Sequence, residues 1–301
     1  MAERLSRRIV IIGRNGQLAR ELAELAWPDD LHPHFLGRGE INLFDADDIR
    51  AQLESLRPVA IINTAAYTNV DKAETEPVLA TQLNAEVPAL LGQVTARLRI
   101  PHLHLSTDYV FAGSSDSPYR EDDAVAPTSI YGQSKRAGEM ALLAATTPTL
   151  ILRSAGLFGR HGHNMLKTVL TLARGTQPIR MVTDQISTPT PAADLAVTLQ
   201  EMAIDMIDGR ALPRILHMAG QPAVSWYGFT AAILGVLHKS GQTQLPDLLP
   251  ARLVDLGRPA PRPRYSALDC SLAASLGYAV PDWQATLPGL MAQLGQGRIA
   301  A

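Results

Sequence analysis

Apolar and polar positions alternate in blocks along the first half of the chain. Ile9-Val-Ile-Ile12 is a short continuous apolar run that ends in Gly13, the pattern of a strand buried on both faces. Leu31–Leu36 and Pro58–Ile62 repeat it, and His102–Ser106 does so after Pro101. Between these runs the period lengthens to that of helices: Arg20 to Ala26, Ala46 to Leu56 with Asp45 as cap, and Ala80 to Leu98 carrying Asn84. Regular strand–helix alternation predicts a parallel sheet covered on both sides, an α/β, Rossmann-like doubly wound fold. Beyond Thr149-Leu-Ile-Leu-Arg153 the rhythm changes. Helices are expected over 165–174 and 192–206, a short strand at Ile215–Met218 rejoins the sheet, and the proline-rich stretch Leu245–Arg264 reads as loop. The division expected is a dinucleotide-binding domain over 1–153, with about 181–218 rejoining it, and a smaller, mainly substrate-binding C-terminal domain over 154–301.

Two stretches carry candidate chemistry. The first is the turn Gly13-Arg-Asn-Gly16-Gln17-Leu18-Ala19 between the first strand and first helix. Glycines there let the backbone approach a pyrophosphate, and the helix N-terminus offers free N–H groups and a positive dipole end. Gly13, Gly16, Gln17 and Leu18 are therefore candidate cofactor residues. With them go the small-residue run Ala65-Ala66-Tyr67 after the third strand, and Asp45. The second strand ends in Gly37-Arg38, where an acid for the ribose hydroxyls is not evident. Arg38 thus predicts NADPH as the preferred cofactor, with NADH admitted.

The second stretch runs from Leu105 to Glu139. Tyr131 and Lys135 stand four apart at the start of a helix, one turn above one another on the same face. A free phenol, with a pKa of about 10, is idle at neutral pH. An ammonium about 4 Å away at an effective dielectric near 20 favours phenolate by about 4 kcal/mol, roughly three pKa units. Tyr131 is accordingly expected near working pH, with Thr107 at the end of the fourth strand holding a substrate oxygen beside it. In the C-terminal half, Arg258, Arg262 and Arg264 read either as a solvated basic loop or as a clamp for a diphosphate. His161 and His163 lack an acid or cysteine at ligand spacing, and no metal site is assigned.

Composition adds exclusions. A formal net charge of −2 argues against nucleic acid as partner, and no apolar run has the length of a membrane span. A lone cysteine, Cys270, allows no internal disulfide and fits a reducing cytoplasm.

These pieces together resemble the dTDP-4-dehydrorhamnose reductase family of extended short-chain dehydrogenases/reductases. The matching segments are Gly13-x-x-Gly16-Gln17-Leu18, Asn63–Tyr67, Val70-Asp-Lys-Ala-Glu74, Ser106–Phe111, Tyr131-Gly-x-x-Lys135, Asp184-Gln185 with Pro189-Thr190, and Arg262-Pro263-x-x-Ser266-x-Leu268. The resemblance implies reduction of a nucleotide-linked 4-keto sugar, with Tyr131 as proton donor and Lys135 as its partner and ribose ligand. Thr107, Asp108, Gly156 and Arg262 would then face the substrate. Some members of the family use Mg²⁺, and a homodimer is compatible with the chain. Ala19 replaces the usual third glycine. Gly156 stands where the family usually has a tryptophan that contacts the sugar, so Phe158 or Trp226 is expected to refill that space. A nucleotide-sugar 4-epimerase and a non-catalytic, cofactor-binding regulatory subunit are the alternatives. The first recycles its nicotinamide; retention of Thr107, Tyr131 and Lys135 argues against the second.

Overall fold

The computed structural model describes residues 7–145 and 148–296. The first half contains β1 (Arg7–Ile12), α1 (Gln17–Glu24), β2 (Leu31–Leu36), α2 (Ala46–Leu56), β3 (Ala60–Asn63), α3 (Val70–Ala73), α4 (Pro77–Thr81), α5 (Val87–Leu98), β4 (His102–Thr107), α6 (Ile130–Ala144) and β5 (Thr149–Ser154). After it come β6 (Leu157–Phe158), α7 (Met165–Leu172), β7 (Ile179–Val182), β8 (Ile186–Ser187), β9 (Thr190–Pro191), α8 (Ala192–Ile207) and β10 (Ile215–His217). The chain ends with β11 (Val224–Ser225), α9 (Trp226–Lys239), β12 (Leu248–Ala251), α10 (Ser271–Ser275) and α11 (Trp283–Gln296).

Six strands form one parallel sheet in the order β10-β5-β4-β3-β1-β2. The chain leaves β1 toward β2 on one side, then returns to build β3, β4 and β5 on the other. The reversal leaves a crevice outside the carboxyl ends of β1 and β3, where open α/β sheets bind ligands. The apolar runs explain the sheet's placement: Ile9 and Ile11 face a core shared with α1 and α8, while Val10 and Ile12 face one shared with α2 and α5. A further core, built by α7, α9 and α11 around Phe158, Phe229 and Trp283, lies in the C-terminal half.

Some local expectations change. The stretch expected as one helix from Ala80 to Leu98 is interrupted by a π-helical turn, Gln82–Glu86. The extra residue turns Asn84 inward, as π-bulges at functional sites do. Its amide receives the Tyr67 backbone N–H at 2.7 Å and donates to Tyr67 O and Ser134 Oγ, each at 3.0 Å. The proline-rich stretch read as loop contains β12, parallel to β7, and a 3₁₀ turn at Leu253–Leu256. Pro250 inside β12 hid this strand, since proline is tolerated only at sheet edges.

Candidate functional site

The glycine turn sits in the crevice. Gly13 has φ +105°, and a Cβ there would lie 2.7 Å from Thr64 Oγ1 and 2.9 Å from Ala65 N. Only glycine permits this approach of the β1 and β3 turns. α1 starts after Gly16 without any side-chain cap, so the N–H groups of its first turn remain open to an anion. That cradle fits the pyrophosphate of a dinucleotide. Leu18 and Ala19 are buried behind it, and Ala19 packs where a third glycine was expected. Gln17 accepts from Asn164 Nδ2 at 2.6 Å and so ties α1 to the start of α7. Asp45 caps α2, accepting from the backbone N–H of Asp47 and Asp48 at 2.9 and 3.2 Å.

The end of β2 differs from expectation. Arg38 is exposed, but the acid thought to be missing is present as Glu40. Its carboxylate accepts the Gly37 N–H at 2.8 Å and pairs with Arg14. Sequence reading stopped at Gly37-Arg38 because the turn that folds Glu40 back over the strand end is not visible in residue order. Arg14, Arg20 and Phe35 line a hollow of about 510 Å³ beside it.

Across the crevice, β4 delivers Thr107 and α6 presents Tyr131. Ser129 caps α6, its Oγ accepting the Gly132 N–H at 3.1 Å, and Gly132 packs so closely that a Cβ would fall 2.2 Å from Tyr109 O. Tyr131 is buried, edge-on to Tyr109 with ring centroids 5.5 Å apart. Burial pushes its phenol up to about 12, although a hydrogen bond with Thr107 works in the other direction. The expected pull of Lys135 on this phenol is not seen. Lys135 Nζ is turned inward, donating to Leu105 O at 2.7 Å and meeting His104 Nε2 at 3.1 Å. Its own pKa is lowered to about 8 by burial, against the pull of Glu139.

Thr107 Oγ1 accepts the Tyr109 N–H and donates to Asp108 Oδ1 at 3.1 Å. Asp108 Oδ2 accepts from Ser266 Oγ at 2.5 Å and Ser187 Oγ at 3.5 Å. Burial raises this carboxyl to about 6 despite those hydroxyls. Ser187 escaped sequence reading, since nothing in its neighbourhood marks it. Arg262 makes a two-pronged bridge to Asp71, with both contacts at 2.8 Å, rather than standing free as a clamp. It still lines a cleft of about 440 Å³ with Asp184, Arg258 and Arg264.

Gly156 has φ +55°, and a Cβ on it would lie 3.1 Å from Trp226 Cη2. The Trp226 indole therefore occupies the space expected to be vacant. Phe158 does not share it: that ring is fully buried, 5.1 Å from Phe229.

Mg²⁺ finds no fitting group of three His, Cys, Asp or Glu side chains among the described residues. Among the described residues one group of three has ligand spacing: Glu21, Glu24 and His161. Residue order concealed it, since His161 meets acids from α1 far away in the chain. Arg160 already donates to both carboxylates, and an imidazole is the third arm, whereas Mg²⁺ takes oxygen ligands.

The switch-point crevice with its glycine cradle and the Thr107–Tyr131–Lys135 group define a short-chain dehydrogenase/reductase. More narrowly, the chain belongs to the family described as "RmlD substrate binding domain", whose profile matches residues 7–296. It is 35% identical over 282 residues to a dTDP-4-dehydrorhamnose reductase of Sinorhizobium fredii, covering 92% of this chain and 94% of that one. It is 36% identical to a Streptomyces antibioticus protein named a probable dTDP-4,6-dihydroxy-2-methyloxan-3-one 4-ketoreductase, covering 93% of each. The crystal structure of a Bacillus anthracis dTDP-4-dehydrorhamnose reductase in complex with NADP superposes with a TM-score of 0.88 at 29% identity, covering 96% of this chain and 99% of that one. No described helix is long and apolar enough to cross a membrane.

Proposed function

We propose that the protein reduces the keto group of a dTDP-linked 4-keto sugar, dTDP-4-dehydro-L-rhamnose in first place, to the alcohol, here dTDP-L-rhamnose. The observation that carries this reading is a buried phenol, Tyr131, beside the Thr107 hydroxyl, at the strand ends next to a glycine cradle. Its relatives' names support the substrate class.

The nicotinamide supplies the hydride when bound. Gly13, Gly16 and the first turn of α1 hold its pyrophosphate, and Ala65, Ala66 and Tyr67 form the floor that Asn84 fixes. With a pKa near 12, Tyr131 stays protonated across the neutral range and acts as the acid that protonates the new alkoxide oxygen. Thr107, whose hydroxyl donates to Asp108 in this structure, would turn that one proton to the oxygen when substrate binds. Lys135, one turn further along α6, would serve as the ribose ligand of the cofactor. Residues 154–301 supply most of the nucleotide-sugar side, where Arg258 and Arg264, with Arg262 braced by Asp71, face the diphosphate.

NADPH is the preferred cofactor. The support for this is Arg38, exposed just past the end of β2, while the Glu40 carboxylate is paired with Arg14 and the Gly37 N–H. Both assignments are tested by following cofactor oxidation over a panel of dTDP- and other nucleotide-linked 4-keto sugars, with NADPH and NADH. Stoichiometric consumption is expected; sugar conversion without net oxidation would identify an epimerase. Equal kcat/KM for the two cofactors, unchanged by Arg38→Ala, would overturn the NADPH preference.

A further inference from the structure

Behind Tyr131 lies a line of buried polar groups that the reduction chemistry does not itself require. Asn63, His104 and Lys135 are almost wholly buried, and they come from β3, β4 and α6. Ala65 N–H donates to Asn63 Oδ1 at 3.1 Å. That bond fixes the amide: its oxygen faces Ala65, so its Nδ2 faces His104 Nδ1, 3.1 Å away. An amide nitrogen can only donate, so His104 Nδ1 must accept. A neutral imidazole that accepts at Nδ1 carries its proton on Nε2. His104 is held neutral, because complete burial drives its pKa well below the ordinary value. Its Nε2–H therefore points at Lys135 Nζ, 3.1 Å away. An ammonium has no lone pair to receive it; a neutral amine has one. The amine's own N–H donates onward to Leu105 O at 2.7 Å.

We infer that Asn63 and His104 are positioning residues that set the charge of Lys135: the one-way hydrogen-bond chain Ala65 → Asn63 → His104 → Lys135 favours the neutral amine. This deepens the proposed reductase reading and rests on it for the function of Lys135. The chain opposes the ammonium directly, because protonating Lys135 sets two donors face to face unless the Asn63 amide turns over and abandons Ala65. The other charged and titratable groups around the pair do not replace this control. On α6, Glu139 favours the ammonium but is itself engaged by Arg153 from β5 and by Arg136. On β4, the His102 ring stands edge-on 6.2 Å away and is kept neutral by burial. Toward the crevice lie Tyr131, protonated, and Asp108, whose Oδ2 is held by Ser266 and Ser187. Burial lowers the Lys135 pKa to about 8, the hydrogen-bond chain acts in the same direction, and the ammonium is the form that would hold a ribose hydroxyl of the cofactor beside Tyr131. An alkaline fall in kcat follows as that form is lost.

The test reverses the chain. In Asn63→Asp a carboxylate faces His104 and can only accept, so the imidazole proton moves to Nδ1 and Nε2 accepts from a Lys135 ammonium. In His104→Gln the amide can turn its oxygen to Lys135, which also permits the ammonium. Long-range ¹H–¹⁵N correlation spectra of histidine-labelled wild type, recorded above the Lys135 pKa of about 8, are expected to show His104 protonated at Nε2 and bare at Nδ1, and the reverse in Asn63→Asp. The alkaline limb of kcat is expected to move up by about one pH unit or more in both variants. Wild-type His104 protonated at Nδ1 would overturn the inference, whatever the activity. So would folded variants, checked by circular dichroism and NADPH affinity, that lose activity equally at every pH with the limb unmoved. Absence of keto-sugar reduction by wild type would sink the proposed function instead, while the spectra still decide the direction of the chain.

Discussion

Tyr131 and Gly156 show how much a single position carries. Phenylalanine at 131 keeps the edge-on contact with Tyr109 and removes only the acid. Turnover of Tyr131→Phe is expected to fall by about 10²- to 10⁴-fold with NADPH affinity near wild type, measured by single-turnover kinetics and cofactor fluorescence titration. Near-wild-type turnover would remove Tyr131 from the mechanism. At Gly156 the choice among substitutes is resolved by packing. Phe158 is core, and the Trp226 edge fills the space beside the glycine. We propose that Trp226 supplies the aromatic contact with the sugar that position 156 lacks. Trp226→Ala is expected to expose about 40–80 Å² of lost apolar contact, worth roughly 1–2 kcal/mol, and to raise KM about five- to thirtyfold with kcat less affected. The reciprocal change, Gly156→Trp, meets both the positive φ and Trp226, so it should lower the melting temperature instead of improving affinity. A Trp variant that gains affinity for dTDP-4-dehydrorhamnose without losing stability would refute the substitution of one indole for the other.

At the scale of elements, α6 is anchored by a charge pair that sequence reading passed over. Arg153 at the end of β5 reaches Glu139 in two places, 2.8 Å each, with both side chains essentially inaccessible. Burial works against the Glu139 carboxylate, but Arg153, then Ser106 and Arg136, outweigh it and hold its pKa below the ordinary value. A depressed folded-state pKa contributes stability that is complete above the unfolded carboxyl range, about 4.3, and is lost as pH falls through the lower folded value. Glu139→Gln leaves Arg153 without its counter-charge and should cost about 3–5 kcal/mol in urea unfolding at pH 7. That difference from wild type should shrink at pH 3; a pH-independent gap would mean that shape, not charge, holds α6. The pair illustrates what was legible and what was not. The strands of the sheet, α2 and the placing of Thr107, Tyr131 and Lys135 at one edge follow from local apolar runs, a cap and a fixed spacing. The partners of those groups do not. Glu139, Arg153, His104, Asn63 and Ser187 meet through packing of separate elements, and a charged or polar residue inside an apolar run carries no sign of which neighbour it will face. The same limit applies to Tyr131, whose spacing to Lys135 is legible but whose burial, and the inward turn of the lysine, are not.

For the whole molecule the deciding contacts join the sheet edge to the C-terminal segments. Asp71 and Arg262 form one such tie. Asp108, held by Ser187 and Ser266, forms the other, directly behind Thr107. Here the linkage has the opposite sign from Glu139. Burial raises the Asp108 carboxyl to about 6, so its ionised form costs stability above that pH, and the cost disappears as pH falls toward the unfolded value near 3.9. A shift of this size corresponds to on the order of 2–3 kcal/mol at pH 8. The fold retains a costly charge where an amide would make the same number of hydrogen bonds, which points to use of the charge in orienting Thr107. Asp108→Asn keeps an oxygen for the Thr107 hydroxyl and turns the Ser266 and Ser187 hydroxyls into acceptors. It is expected to melt at higher temperature than wild type at pH 8, with the two curves converging at pH 4. The same variant should lose the acid limb of kcat/KM near pH 6 that the ionisation of Asp108 gives the wild type. A limb that stays in place in Asp108→Asn would assign it to another group, and a melting temperature that falls at pH 8 would mean the serine hydroxyls need the carboxylate more than the fold needs relief from its charge.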